Sequence, residues 1–143
     1  MIYFQADDIA LPSLQKDIIS GWIQYVAAHY GKRIGNIHYI FCSDERILEV
    51  NRQYLRHDYY TDVITFDYSE GDILSGDIFI SIDTVASNAE QQQTTFEQEL
   101  LRIIIHGVLH LTGQEDKTPE AHKEMTQKEE YALAIYREIY QKL

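Results

Sequence analysis

Cysteine is nearly absent from this 143-residue chain. Cys42 stands alone, so no disulfide can form within the chain, and a reducing compartment, the cytoplasm, is expected. Proline is as scarce: Pro12 and Pro119 are the only two, and each is placed to start a helix. Positive charge is short as well. Twelve lysines and arginines against 23 aspartates and glutamates leave a net charge of −11. So acidic a chain is poorly suited to coat nucleic acid broadly, and any such role must rest on named cations in a local cleft. No apolar run approaches the roughly 20 residues of a membrane span, so no membrane partner is expected. The opening stretch, MIYFQADDIALP, has neither the basic start nor the long apolar segment of a secretory signal. Repeats, low-complexity tracts and linker-like stretches are also missing. What is present, with 45% hydrophobic residues, has the size and composition of one packed domain over residues 1–143.

Hydrophobic periodicity sets the order of elements. Residues 1–5 form a short apolar strand. From Pro12 to Tyr30 a helical stripe carries Leu14, Ile18, Trp22, Tyr25 and Val26, with Gly31 as its stop. Ile37, Tyr39 and Phe41 alternate with His38, Ile40 and Cys42 in a second strand. Ser43 caps a helix that opens with Asp44 and Glu45, carboxylates suited to a helix N-terminus, and runs to about Tyr54. LRHDYYTD is a loop and DVITFDY a strand. SEGDILSG is a turn region and GDIFISI another strand, close enough to its predecessor to pair with it antiparallel. A polar helix comes next, over residues 83–93. Thr95 and Gln98 make a capping-box pattern before ELLRIIIHGVLHLTG, which is apolar nearly all round and reads as a central, buried helix. Thr118 and Pro119 start the last helix, whose core face is Met125, Ala132, Ile135, Ile139 and Leu143. The order β-α-β-α-β-β-α-α-α predicts an α+β domain. Its small mixed sheet of about four strands packs on helices, with the histidine-bearing helix at the centre.

The chemistry is concentrated in HGVLHLTGQED, residues 106–116. His106 and His110 are one helical turn apart, so both imidazoles can face one ion. Two core histidines without partners would be costly on so apolar a helix, which favours a metal site over a structural role. Gly113 lets the chain leave the helix and turn back. The residues then available as a third ligand are Glu115, Asp116 and His122. Asp116, six residues after His110, is well placed, whereas His122 requires the next helix to pack back. A zinc protease would carry its glutamate base directly after the first histidine. Here that residue is Gly107, which cannot move a proton.

HGVLHLTGQED resembles the motif His-Gly-x-Leu-His-Leu-x-Gly-Tyr-Asp-His of the YbeY family. Those bacterial proteins are single-strand-specific, metal-dependent endoribonucleases of ribosomal RNA maturation and ribosome quality control. VNRQYLRHDYYTDVITFDY is similar to the family's Leu-Asn-x-x-Tyr-Arg-x-x-Asp-x-Pro-Thr-Asp-Val-Leu-Ser-Phe, and GDIFIS to its Gly-Asp-Ile strand. The resemblance runs from about residue 45 to 116. It implies that His106 and His110 are the first two ligands of one zinc ion, with Asp116 at the third position, normally histidine. It also implies single-stranded ribosomal RNA as substrate and the small ribosomal subunit with its associated proteins as partner, with no DNA. Asn51, Tyr54, Asp58, Thr61 and Asp62 fall on matching positions. The family's proline is Tyr60 here, and its Tyr-Asp after the glycine becomes Gln114-Glu115. Its arginine falls on Leu55, so Arg56 is the candidate catalytic cation, a phosphate clamp.

Other cations and aromatics are weaker candidates. Arg102 lies one turn before His106 on the same stripe, but pairs more readily with Glu99. His57 reads as a surface histidine. Tyr54, Tyr59 and Tyr60 could stack bases, with Tyr54 better placed as core-edge packing. Nothing ties Lys32 and Arg33 to the motif. Two rivals remain: a metalloprotease-like hydrolase, disfavoured by Gly107, and a non-catalytic ribosome-assembly factor with a structural metal, favoured by the displaced arginine and the acidic charge.

Overall fold

The computed structural model describes residues 1–56 and 61–141, so His57, Asp58, Tyr59, Tyr60 and Leu143 lie outside the described residues. The elements are β1 (Ile2–Ala6), α1 (Lys16–His29), β2 (Arg33–Cys42), α2 (Asp44–Leu55), β3 (Val63–Asp67), β4 (Ile73–Ser81), α3 (Ile82–Gln91), α4 (Phe96–Leu111) and α5 (Pro119–Ile135). A π-helical turn, Tyr136–Tyr140, continues α5. The expected order and α+β class hold. The sheet runs β1-β2-β4-β3, with β1, β2 and β4 parallel and β3 antiparallel to β4 at the edge.

Strand alternation divides the apolar residues between two layers. Ile37, Tyr39 and Phe41 of β2 and Ile78 and Ile80 of β4 join Trp22, Ile23 and Val26 of α1 and most of α4 in the main core. On the other face, Cys42 and Ile64 meet Ile47 and Val50 of α2, with Phe66 and Phe79 alongside. α4 is central: ten of its residues are buried, and the Tyr39 hydroxyl donates to the Ile104 carbonyl at 2.8 Å. Gly107 allows it to sit so close to the sheet. A Cβ there would lie 2.8 Å from Ile78 Cδ1 and 3.0 Å from Ile78 Cγ2.

Several expectations need correction. α1 starts at Lys16 rather than Pro12, and its N-cap, Gln15, makes no side-chain cap bond. Residues 12–15 form a strap instead, from which Leu14 reaches the main core. Tyr25 is 45% exposed, and Ile19 and Ile23 occupy the inner face. β4 begins at Ile73, inside the stretch read as a turn, because Ile73 and Leu74 pair with Arg33 and Ile34 of β2. Only half of the capping box at α4 forms. The Thr95 hydroxyl accepts from Gln98 N, while the Gln98 side chain accepts from the Thr94 hydroxyl. Ile139 is 44% exposed, since the π-helical turn rotates the stripe and turns Tyr136 inward.

The close seating of α4 is testable. Gly107→Ala should cost about 1–3 kcal/mol in urea unfolding. Adding Ile78→Val, which removes the nearest methyl, should recover part of that loss. Equal stability of Gly107→Ala and the parent would refute the contact.

Candidate metal centre

The centre is built at the C-terminal end of α4. There the helix closes on a Schellman motif: Gln114 N donates to Leu109 O at 3.1 Å and Gly113 N to His110 O at 2.9 Å. Gly113 supplies the required positive φ, +102°. The turn sends the chain back past the helix, and Asp116 arrives opposite both histidines. Asp116 Oδ2 lies 3.4 Å from His106 Nε2 and 3.5 Å from His110 Nε2. The three ligand atoms all lie within 4.8 Å of one another, so the cluster could hold a metal ion. Ligands at about 2.0–2.1 Å from a tetrahedral ion are themselves about 3.3 Å apart, which matches the two measured separations.

Each imidazole is held from behind. His110 Nδ1 donates to the Gln114 carbonyl at 2.9 Å, an oxygen that can only accept. His106 Nδ1 faces Glu129 Oε2 at 2.5 Å. Donation from both Nδ1 atoms leaves each Nε2 lone pair directed at the space before Asp116, the tautomer a metal needs. Burial pulls the His110 pKa below its usual value, assisted by neighbouring His106 and opposed by Asp116, which favours the neutral, metal-binding ring.

Behind His106 lies a buried ionic network. Arg102 makes a two-pronged pair with Glu99, at 2.9 and 2.5 Å, and reaches Glu129 at 3.1 Å. Glu99 and Glu129 are 1% and 4% exposed. Burial acts to lower the Arg102 pKa, but hydrogen bonding and charge from the two glutamates outweigh it and hold the guanidinium above its usual range. Arg102 is therefore the partner of Glu99, as expected, and of Glu129 as well.

A cleft of about 250 Å³ opens beside the centre, lined by Val63, Thr65, Asp67 and His110. A larger cavity, about 680 Å³, is lined by the strap, the first turns of α4 and Tyr136, and includes none of the three cluster residues. The sequence-predicted residues thus separate. His106, His110 and Asp116 come together. His122 is exposed in the first turn of α5, outside the cluster. Arg56 is the left-handed C-cap of α2, exposed, and does not line the cleft at His110. Tyr54 is 60% exposed and packs edge-on against Phe66, with ring centres 5.9 Å apart. Arg33 makes a distant pair with Asp72, 3.9 Å, at the surface. His57, Tyr59 and Tyr60 lie outside the described residues.

Sequence reasoning missed Glu129. Its signal was an acid in register with Met125 and Ala132 on the core stripe of α5, where a lone carboxylate would be intolerable.

The family model described as Endoribonuclease YbeY matches residues 2–137. A protein named Endoribonuclease YbeY from Phocaeicola vulgatus is 58% identical over 135 residues, covering 94% of this chain and 98% of that protein. One of the same name from Parabacteroides distasonis is 60% identical over 134 residues, covering 94% of each. The solution structure of a Thermotoga maritima protein superposes with a TM-score of 0.64 at 28% identity, covering 96% of this chain and 92% of that one.

Two substitutions separate the third-ligand candidates. Asp116→Ala should lose bound metal by elemental analysis, while His122→Ala should keep it; the reverse would overturn the geometric choice. Glu129→Gln should weaken metal affinity by about 10–100-fold, measured by competition with a chelating dye.

Proposed function

The chain belongs to the Endoribonuclease YbeY family, and from that membership and the three-residue centre we propose that it is a metal-dependent endoribonuclease of single-stranded ribosomal RNA. It acts in ribosomal RNA maturation and ribosome quality control, with the small ribosomal subunit and its associated proteins as partner. The observation that carries the metal dependence is the convergence of His106 Nε2 and His110 Nε2 on one oxygen of Asp116. The proposed ion is a single zinc, and the proposed compartment is the cytoplasm.

A zinc ion held there supplies a Lewis acid for the phosphoryl group and lowers the pKa of water. The protein's own residues do the remainder. Glu129 and Gln114 hold the two imidazoles in the ligating tautomer. Asp116 contributes one negative charge, so the centre is less positive than a three-histidine site, and its oxygen suits harder ions than nitrogen does. Arg102 remains bound to its glutamates. The phosphate clamp is therefore assigned to Arg56, whose exposed position at the end of α2 leaves its guanidinium accessible to RNA.

A peptide-cleaving role is disfavoured by Gly107, which cannot move a proton where a zinc protease carries its glutamate base, and at which a Cβ would crowd Ile78. A binding factor with a structural metal draws its support from the cleft, where the only charged or titratable lining groups are Asp67 and His110 among the described residues.

Purified, metal-assayed protein should cut single-stranded RNA, spare a protein substrate, and stop with chelator. Arg56→Ala should lower kcat/KM by about a hundredfold if it stabilises charge at the phosphate. Stoichiometric binding to ribosomal particles without RNA turnover at any zinc concentration would instead establish the binding factor.

A further inference from the structure

Thr65 Oγ1 is buried and has no hydrogen-bond partner among the described residues, a property no other buried side-chain nitrogen or oxygen shares among them. Hydroxyls elsewhere are used. Thr61 donates to Val63 O, Thr84 to Asp44, Thr94 to Gln98 and Thr112 to Leu109 O. A buried hydroxyl without a partner costs stability, and a valine of the same shape would suit a strand equally well. The unpartnered hydroxyl is therefore a donor open to a partner from outside the chain.

Its position says which partner. β3 alternates, so Ile64 and Phe66 join the small core under α2 while Val63, Thr65 and Asp67 line the cleft that His110 also lines. Thr65 is opposite Ile78 in the β3–β4 register, and Ile78 is the residue against which Gly107 of α4 is seated. The close seating of α4 thus brings Thr65 and the metal-ligand helix to one cleft, with the hydroxyl buried at its wall. Asp67, the other polar strand residue there, already accepts from Ser69 N at 2.8 Å. Thr65 is left as a neutral donor beside a centre whose own groups are ligands or acids. An acceptor bearing negative charge is the matching group, and in RNA that is a non-bridging phosphate oxygen.

We propose that the Thr65 hydroxyl donates to a non-bridging oxygen of the RNA phosphate bound at the His106–His110–Asp116 centre, and so positions the substrate. This rests on the endoribonuclease reading above.

The test compares Thr65→Val, which removes the hydroxyl at constant shape, with Thr65→Ser, which keeps it. Three quantities are measured: the urea unfolding midpoint with metal content, the affinity of the zinc-loaded protein for a fluorescent, cleavage-resistant 2′-O-methyl single-stranded RNA by anisotropy, and cleavage kinetics with zinc. Thr65→Val should unfold at an equal or higher urea concentration and keep its metal. It should also bind RNA more weakly and lose about tenfold or more in kcat/KM, while Thr65→Ser stays near the parent. Unchanged RNA affinity and cleavage in Thr65→Val would overturn the proposal. So would a lower unfolding midpoint or lost metal in Thr65→Val, because the hydroxyl would then serve the fold. If the parent protein cuts no RNA, the endoribonuclease reading fails by itself. The Thr65 contact is then decided by anisotropy, with weaker binding in Thr65→Val supporting it and equal binding refuting it.

Discussion

Glu129 is the group on which the centre depends. It is an acid in the core face of α5, where a lone carboxylate would be costly to bury. One oxygen is neutralised by Arg102 and the other receives His106 Nδ1. Arg102 in turn is held by Glu99 one turn back along α4. Such a network is weak evidence for net stability, since the desolvation of several charges offsets most of their attraction. Its value is geometric. It ties α5 to α4 in one register, and it sets which nitrogen of His106 carries the proton. Two carboxylates against one guanidinium also leave excess negative charge behind His106, which suits a cation in front of it.

Much of this was legible from local patterns. The order of elements came from helical and strand periodicity, and the Ser43, Thr95 and Thr118 caps each accept the backbone N–H expected of them. His106, His110 and Gly113 were legible because a helix fixes i and i+4 on one face and a Schellman turn fixes the path of the chain beyond the helix. The failures share a cause in tertiary context. The strap over residues 12–15 breaks a stripe that periodicity continued, because Leu14 can reach the core without being helical. The π-helical turn displaces Ile139 by inserting a residue that no propensity signals. Glu129 is 23 residues from its histidine in sequence, and Thr65 acquires its meaning only from the strand register that places it beside α4.

The aspartate at the third position is consistent with the rest of the network. Compared with histidine it brings a formal charge, and the buried network behind His106 already carries one in excess. A doubly charged ion held by two neutral imidazoles and Asp116 would keep one net positive charge, set against the negative charge of Glu129. Such a donor set would trade electrophilic strength for tighter retention of a hard cation. On the proposed function, assistance at the phosphate would come from neutral donors and from cations outside the cleft, since Arg102 is held by Glu99 and Glu129. A neutral hydroxyl on β3 and an exposed arginine at the end of α2 are groups of those two kinds.

The sheet edge raises a further point about specificity. β3 is an edge strand beside the cleft, and an edge strand is the element on which a protease would lay out an extended peptide. Architecture alone would thus admit peptide cleavage. What decides against it is a packing constraint. Glycine after His106 lets α4 sit close on Ile78, and any side chain there, the protease glutamate included, begins with a Cβ 2.8 Å from Ile78 Cδ1 that Ile78 must move to admit. The close contact that brings the histidines up to the strand therefore also disfavours a side chain where that base would stand. A centre made this way is left with chemistry that can proceed from an ion, water and positioned donors, and phosphodiester hydrolysis is such chemistry.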